Sequence, residues 1–169
     1  VAGAAAAGKL AVGFDLEGAL PLQEQPGRVA FFRDLGVRQI HLAYNRNNSV
    51  AGGCHDTPQG LTALGRRMVE AVNSAGVLMD CAHTERRTTL DIMAHSRHPV
   101  VFSHANPLAL AEHGRNITDE QIRAALPGVD YRQLKVDPVA NTIRFLQPGM
   151  RIDLGGIASI WRGGCIIRA

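Results

Sequence analysis

The chain has 169 residues, of which 46% are hydrophobic and 20% are charged, as is typical of one globular domain with a buried core. Its formal net charge of +3 comes from scattered Lys and Arg, and only 5% of the residues are aromatic, so we expect no nucleic-acid partner. No apolar run reaches the roughly 18 residues that a transmembrane helix needs, so we expect no membrane span.

The three cysteines, Cys54, Cys81 and Cys165, are widely spaced and odd in number. They form neither a zinc-ribbon spacing nor a disulfide framework. Together with the lack of a basic leader segment, this predicts a cytoplasmic protein in a reducing compartment. Because the sequence starts without Met, we expect it to be part of a larger protein. The sequence does not define the oligomeric state, and a homo-oligomer is one of the alternatives.

The first half of the chain alternates short apolar runs with amphipathic segments. Residues 10–14 are the first predicted strand, and residues 26–35 are the first predicted helix. Residues 37–43 are the second strand, and residues 46–60 form a long loop rich in Asn and Gly, as functional loops often are. Residues 61–75 have the apolar spacing of an amphipathic helix.

The second half repeats this pattern. Residues 77–81 and 99–102 are predicted strands, and residues 84–96 between them suit a connecting helix of about three turns. Thr118 and Gln121 have the spacing of a capping box, which predicts a helix that ends near residue 126. Four strands that alternate with helices predict an α/β fold with a parallel sheet covered by helices.

Two architectures contain such a sheet, a segment of a (β/α)8 barrel and a doubly wound sheet. The barrel is favoured because polar residues follow every predicted strand, and barrel sites are built at the carboxyl ends of several strands. Neither the GxGxxG nor the GxxxxGK[ST] fingerprint occurs. We therefore predict a partial TIM barrel of about four βα units over residues 1–126. An irregular C-terminal tail, residues 127–169, should follow it, since Pro138 and Pro148 interrupt any regular period.

Polar side chains stand at or shortly after the end of each predicted strand, namely Glu17, Tyr44 with Asn45, His83 and His104. The carboxyl ends of parallel strands meet at one edge of a sheet, so we expect these side chains to lie close together. Two imidazoles there indicate a metal site, or a base and its partner, although either histidine could also be a buried structural residue. With the carboxylate they make a ligand set that suits Zn²⁺.

Other titratable residues are expected to support the site or the fold. His41 lies inside the second predicted strand and is interpreted as structural. Asp15 and Asp80 lie near strand ends, where they could orient metal ligands as outer partners. His55, in the long loop, is not expected to bind metal.

Several short motifs resemble those of the membrane (renal) dipeptidase family, in its bacterial branch, and they occur in the same order. They lie between residues 8 and 124, at residues 13–18, 42–47, 60–64, 76–83, 100–104 and 114–120. The resemblance implies a (β/α)8 barrel that hydrolyses dipeptides at a two-zinc site. It also implies that Glu17 bridges the two zinc ions and that His83 and His104 bind the second one.

The resemblance further implies how a dipeptide substrate is held. Arg115 would bind the substrate carboxylate, and a planar guanidinium can do so with two parallel hydrogen bonds. Tyr44 stands where many members have a substrate-binding histidine, and its hydroxyl would donate to a substrate carbonyl. Asn45, the next residue, would support this substrate-binding loop.

Two features of the family are missing from the sequence. No His-x-Asp pair, which holds the first zinc in the family, precedes Gly13, and no late aspartate motif follows Leu126. We therefore expect about half a barrel, one zinc ion or fewer per chain, and slow or undetectable hydrolysis. Residues 152–169 separately resemble a segment of 6-phosphogluconate dehydrogenase, but they carry no cofactor fingerprint, so no dehydrogenase activity is expected.

The function predicted from the sequence is that of a zinc-dependent dipeptidase, a metallopeptidase in which a metal-bridging hydroxide attacks the scissile carbonyl. One alternative is a non-catalytic truncated or chimeric fragment that binds metal weakly or not at all. Another is a metal-dependent hydrolase that uses the same ligands on a different amide or ester. The missing His-x-Asp pair favours the fragment, whereas the set of motifs favours the peptidase.

Overall fold

The computed structural model describes residues 7–125, together with residues 134–137 and 142–145. Its main feature is a sheet of four parallel strands in the order β1-β2-β3-β4. These strands are β1 (Phe14–Leu16), β2 (Val37–His41), β3 (Leu78–Asp80) and β4 (Val100–Val101). Because the strands are parallel, their carboxyl ends all lie at the same edge of the sheet.

Helices connect the strands. α1 (Arg28–Asp34) leads from β1 to β2, α2 (Ala63–Ala75) leads to β3, α3 (Arg86–His95) leads to β4, and α4 (Asp119–Ala125) follows β4. α1 packs against α2, and α3 packs against α4. The predicted α/β class with a parallel sheet is confirmed. None of the helices in the described part of the chain is long and apolar enough to cross a membrane.

The hydrophobic core lies where α2 meets the central strands. Ile40 of β2 and Met79 of β3 are almost completely buried. α2 buries Met68, Val69 and Val72, whose spacing places them on one face of the helix. Each such side chain contributes on the order of 1.5–3 kcal/mol when it is fully buried. This packing fixes the central strands, and so positions the edge at which they end.

Side chains and a glycine mark where the helices begin and end. The hydroxyl of Thr62 accepts a hydrogen bond from the backbone of Gly65 at 3.0 Å, which caps the start of α2. Gly76 ends α2 with a φ of 66°, which glycine adopts without strain. Thr118 and Gln121 bond each other's backbone N–H groups at the start of α4, so the predicted capping box is confirmed.

Glu85 joins the start of α3 to the long loop between β2 and α2. Its carboxylate accepts hydrogen bonds from the backbone N–H groups of Gly60, Arg87 and Thr88. Its own N–H donates to the carbonyl of Gly52. Burial alone would raise the pKa of Glu85, but the hydrogen bond from the Thr88 hydroxyl and those from the backbone N–H groups outweigh burial and hold this pKa below its ordinary value. The ionised carboxylate therefore stabilises the fold.

The first strand differs from its prediction. β1 spans Phe14–Leu16 instead of residues 10–14, because its partner β2 begins at Val37, which lies opposite Phe14. Leu10 and Val12 are exposed, and within the described part of the chain they have no neighbouring strand. The other three strands and all four helices lie inside the ranges predicted for them.

The structure also differs from the irregular tail that the sequence predicts. β5 (Leu134–Asp137) and β6 (Thr142–Phe145) form an antiparallel pair. Strands of four residues are too short for a period to be recognised, and Pro138 directly follows the first of them. The remaining tail residues, 152–169 among them, lie outside the described part of the chain.

We expect Glu85→Ala to lower the free energy of unfolding by about 2–3 kcal/mol, because buried N–H groups of Gly60 and Thr88 lose their acceptor. Urea unfolding followed by circular dichroism measures this change. Glu70→Ala is the matched control. Glu70 is exposed and pairs with His95, so its loss should change the free energy by no more than about 0.5 kcal/mol.

The pH dependence of the stability difference between the wild type and Glu85→Ala supplies a second check. Folding lowers the pKa of Glu85, so its carboxylate stabilises the fold above the unfolded-state pKa. This contribution is lost as the pH falls through the folded-state pKa. The difference in stability between the wild type and Glu85→Ala should therefore shrink in acid. A difference that stays constant would contradict the assignment.

Candidate metal centre

Glu17, His83 and His104 converge at the carboxyl edge of the sheet, shortly after β1, β3 and β4. One possible ligand atom from each residue lies within 4.8 Å of the others. The Nε2 atoms of the two histidines are 2.8 Å apart, and each lies 3.9 Å from an oxygen of Glu17. The structure thus brings together the three side chains that the sequence predicts as metal ligands.

The contacts of His83 leave a lone pair on its Nε2. Nδ1 donates to the amide oxygen of Asn45 at 2.8 Å, while Arg115, which can only donate, approaches Nε2 at 3.1 Å. Burial, followed by the nearby Arg115 and His104, lowers the pKa of His83 to about 4, against the opposite effect of Glu17. The ring is therefore neutral near neutral pH, which is the form that binds metal.

His104 presents the second nitrogen from a more exposed position. Its Nδ1 lies 2.6 Å from the hydroxyl of Ser103, and its side chain is 40% exposed. Two nitrogens bound to one zinc at about 2.0–2.1 Å in tetrahedral geometry are about 3.3 Å apart. A small rotation of the exposed ring would widen the 2.8 Å separation from His83 to that value. The donor set therefore fits a zinc ion.

Tyr44 and Asn45 contact His83 from the loop after β2. The Tyr44 ring stacks on the His83 ring with centroids 4.4 Å apart, and about half of Tyr44 is exposed. Asn45 has a positive φ of 63°, a conformation that Asn tolerates, and its amide oxygen also accepts from the thiol of Cys54. The sequence predicts a substrate-binding role for both. The contact that the structure gives Asn45 is with a candidate metal ligand.

Arg115 reaches the same cluster from the segment before α4. Its Nη2 donates to Nε2 of His83 and to the carbonyl of His104, at 3.1 and 3.4 Å. Its buried Nε has no acceptor among the described residues. A cavity of about 210 Å³, also lined by Thr84 and Phe102, lies beside it. A guanidinium with a spare donor at a cavity can bind a carboxylate.

His41 lies at the end of β2, at the same edge of the sheet, and the sequence analysis interprets it as structural. It is fully buried, and its Nδ1 lies 3.2 Å from the carbonyl of Ala82. Its Nε2 lies 3.0 Å from Oδ2 of Asp15 and 3.3 Å from Oδ2 of Asp80. The sequence predicts that Asp15 and Asp80 orient metal ligands. In the structure both carboxylates contact His41, which is not one of the three predicted ligands.

One signal in the sequence could have revealed this position. Gln39 and His41 alternate in β2, which places two polar side chains on the same face of a central strand. Gln39 donates to Oδ2 of Asp80 at 2.7 Å on that face. Two polar side chains on one face of a central strand indicate that this face is not packed as hydrophobic core.

A parallel α/β sheet with two histidines and a carboxylate at its carboxyl edge is typical of the metal-dependent hydrolases built on barrels. Within that class, the family model described as membrane dipeptidase, peptidase family M19, matches residues 1–127. The chain belongs to this family, and the resemblance found in the sequence is confirmed.

Known relatives are longer than this chain. An uncharacterized dipeptidase of Schizosaccharomyces pombe is 32% identical over 120 residues, which are 67% of this chain and 28% of that protein. A solved amidohydrolase from Pseudomonas aeruginosa has a TM-score of 0.71 and 32% identity, covering 75% of this chain and 39% of the other. A metallo peptidase from Rhodobacter sphaeroides, solved with a phosphinate mimic of the dipeptide L-Ala-D-Ala, has a TM-score of 0.64 and 27% identity, covering 68% and 35%.

The match to these structures confirms the predicted fold class, part of a TIM barrel. The chain spans 28% to 39% of the lengths of these relatives. The likeness of residues 152–169 to 6-phosphogluconate dehydrogenase stays a prediction, because these residues lie beyond the family match and outside the described part of the chain.

We expect Asn45→Gly to weaken zinc binding by about 10–100-fold, because it removes the acceptor that orients the His83 ring. Glycine keeps the positive φ at this position, so the backbone is not strained. Competition with a coloured chelator measures the affinity. Asn45→Asp, which keeps an acceptor oxygen, should bind zinc at least as tightly as the wild type. Equal affinities of the Gly and Asp variants would contradict this role.

Proposed function

We propose that this chain binds zinc at Glu17, His83 and His104 and acts in the hydrolysis of dipeptides. The convergence of these three side chains at one edge of the sheet is the observation that carries the proposal. Membership of the membrane dipeptidase family supports it. Zinc bound there would polarise the scissile carbonyl and lower the pKa of water.

The side chains around the zinc ligands have supporting roles. Asn45 holds Nδ1 of His83, so the ring is already oriented and Nε2 already carries a lone pair when metal binds. Nδ1 of His104 contacts the hydroxyl of Ser103, which donates when Nε2 of His104 carries the proton of its 2.8 Å contact with Nε2 of His83. An outer hydrogen bond therefore holds each ring near its metal-binding orientation.

Arg115 and Tyr44 are the residues proposed to hold the substrate. Arg115 binds the free carboxylate of the dipeptide, and the hydroxyl of Tyr44 donates to a substrate carbonyl. The cavity of about 210 Å³ beside Arg115 is lined by none of the three proposed zinc ligands, so the proposal rests on Arg115 and not on the size of this cavity.

A second candidate function is hydrolysis of another amide by the same ligands. The solved relative from Pseudomonas aeruginosa that carries the name amidohydrolase supports this alternative. Arg115 favours the dipeptide, because a guanidinium contributes most when the substrate has a free carboxylate. Comparing substrates with and without that carboxylate separates the two functions.

We also propose that the protein is located in the cytoplasm. Cys54 and Cys81 form no disulfide within the described part of the chain. Burial raises the pKa of Cys81, which keeps this thiol protonated and unreactive.

The proposal is tested by a dipeptide assay with and without zinc. We expect slow hydrolysis that requires zinc, that a chelator abolishes, and that the double variant His83→Ala, His104→Ala has lost together with its bound zinc. His95→Ala is the control, because His95 lies at the end of α3 and pairs with Glu70. Zinc content or hydrolysis that survives the double substitution would contradict the site.

We expect Arg115→Ala to weaken dipeptide binding by about 1.5–3 kcal/mol, because one charge-assisted hydrogen-bond pair is lost. Calorimetry on the zinc-loaded protein measures this without requiring turnover. A dipeptide amide, which lacks the carboxylate, should bind the variant and the wild type equally. Arg123→Ala, on the exposed side of α4, is the matched control and should change neither affinity. Equal weakening of both ligands would argue for a structural role of Arg115.

A further inference from the structure

One buried histidine connects segments that support all three candidate zinc ligands. His41 lies at the end of β2, and its side chain is fully buried. β2 pairs with β1, which carries Asp15, on one side and with β3, which ends at Asp80, on the other. A buried polar ring needs a hydrogen-bond partner for each nitrogen, so the contacts of His41 indicate what this residue does.

Both ring nitrogens of His41 face groups that accept hydrogen bonds. Nδ1 lies 3.2 Å from the carbonyl of Ala82, which can only accept, so Nδ1 donates to it. Nε2 lies 3.0 Å from Oδ2 of Asp15 and 3.3 Å from Oδ2 of Asp80. A proton on Nε2 then lies between the ring and the two carboxylates, whose lone pairs would otherwise repel that of the nitrogen. His41 therefore donates from both nitrogens and joins β1, β2 and the turn after β3.

The contact with Asp80 reaches the two candidate histidine ligands. Oδ2 of Asp80 is held by His41 and by Gln39, which leaves Oδ1 for the turns after β3 and β4. Oδ1 accepts from the backbone N–H groups of Ala82 and Ser103 at 2.8 and 3.3 Å. Each of these two residues directly precedes a candidate histidine ligand. Because His41 also holds the carbonyl of Ala82, the peptide groups on both sides of that residue are fixed.

The contact with Asp15 reaches the third candidate ligand. Asp15 lies two residues before Glu17, at the end of the strand from which Glu17 follows. By holding Asp15, His41 fixes this end of β1 relative to β2 and β3. The same ring therefore influences the separation between Glu17 and the pair of histidines.

We propose that His41 is a positioning residue of the zinc site. The proton on its Nε2, shared by Asp15 and Asp80, holds the three candidate ligands at the separation at which they bind one zinc ion. The inference rests on the proposed function, to which it adds the residue that sets the geometry of the ligands. A residue that only filled space in the core would not depend on which of its nitrogens donates.

The test compares two variants that each keep one donor. In His41→Gln the side-chain amide nitrogen takes the place of Nε2, whereas in His41→Asn it takes the place of Nδ1. We expect His41→Asn to weaken zinc binding by about 10–100-fold, because the donor to the two carboxylates is lost, and His41→Gln to stay within about threefold of the wild type. Calorimetric titration of the metal-free protein with Zn²⁺ measures both affinities. His95→Gln, at the end of α3, is the control and should leave the affinity unchanged.

Amide hydrogen exchange supplies a readout that needs no zinc. In the metal-free protein, the N–H groups of Ala82 and Ser103 should exchange about tenfold faster in His41→Asn than in the wild type, and at the wild-type rate in His41→Gln. Equal exchange rates in the two variants would overturn the inference, as would equal zinc affinities. A wild type that binds no zinc would overturn the proposed function instead, and the exchange rates would then decide this inference.

Asp15 supplies a second pair of variants, which decides the inference even where circular dichroism finds His41→Asn misfolded. Asp15 is partly exposed, and Asp15→Asn keeps an oxygen that accepts from Nε2 of His41, whereas Asp15→Ala does not. Both substitutions remove the same charge, so the hydrogen bond separates them. We expect Asp15→Ala to bind zinc at least about tenfold more weakly than Asp15→Asn. Equal affinities of these two variants would overturn the inference.

Discussion

The buried carboxylate of Asp80 organises the edge of the sheet where the candidate site lies. Its Oδ1 accepts from the backbone N–H groups of Ala82 and Ser103 at 2.8 and 3.3 Å, and its Oδ2 accepts from Gln39 at 2.7 Å. Ala82 and Ser103 directly precede the two candidate histidine ligands. A buried charge is tolerated only with such compensation, so the turns after β3 and β4 are fixed by the same group. The spacing of the histidines depends on this carboxylate.

The loops after β2 and β3 position Asn45 and His83 at the candidate site, and their backbone is locally strained. Asn45 and His83 both have left-handed φ values, 63° and 68°. Asn tolerates this conformation, whereas in His83 it costs on the order of 1–2 kcal/mol. Their backbones are fixed by neighbours in one short segment: His55 donates to the carbonyl of Asn45 at 2.8 Å, and Cys54 donates to that of His83 at 3.0 Å. Their side chains also bond each other. Strain at these positions therefore persists because the contacts define the orientation of a ligand.

Local patterns in this sequence predict its helices and strands, but they do not predict which side chains of neighbouring strands contact each other. Glu17, His83 and His104 could be proposed because each follows an apolar run, and in a parallel sheet that position also defines a place in space. His41 is different, because its carboxylate partners come from the two neighbouring strands and depend on register. The hydrogen bond between Asn45 and His83 depends on the left-handed backbone of Asn45, which hydrophobic periodicity does not predict. The start of β1 was misplaced for the same reason, since pairing with β2 decides it.

In the proposed function, zinc and Arg115 both use the lone pair on Nε2 of His83, which connects metal binding to substrate binding. Nη2 of Arg115 donates to Nε2 of His83 at 3.1 Å, and one lone pair serves one partner at a time. Zinc bound by His83 must therefore displace this hydrogen bond. Arg115 also has a buried Nε without an acceptor among the described residues, so its guanidinium would then have a second unpaired donor. In the proposed function, a substrate carboxylate would satisfy both donors at once. Zinc and substrate would then increase each other's affinity by the same factor, as linkage requires.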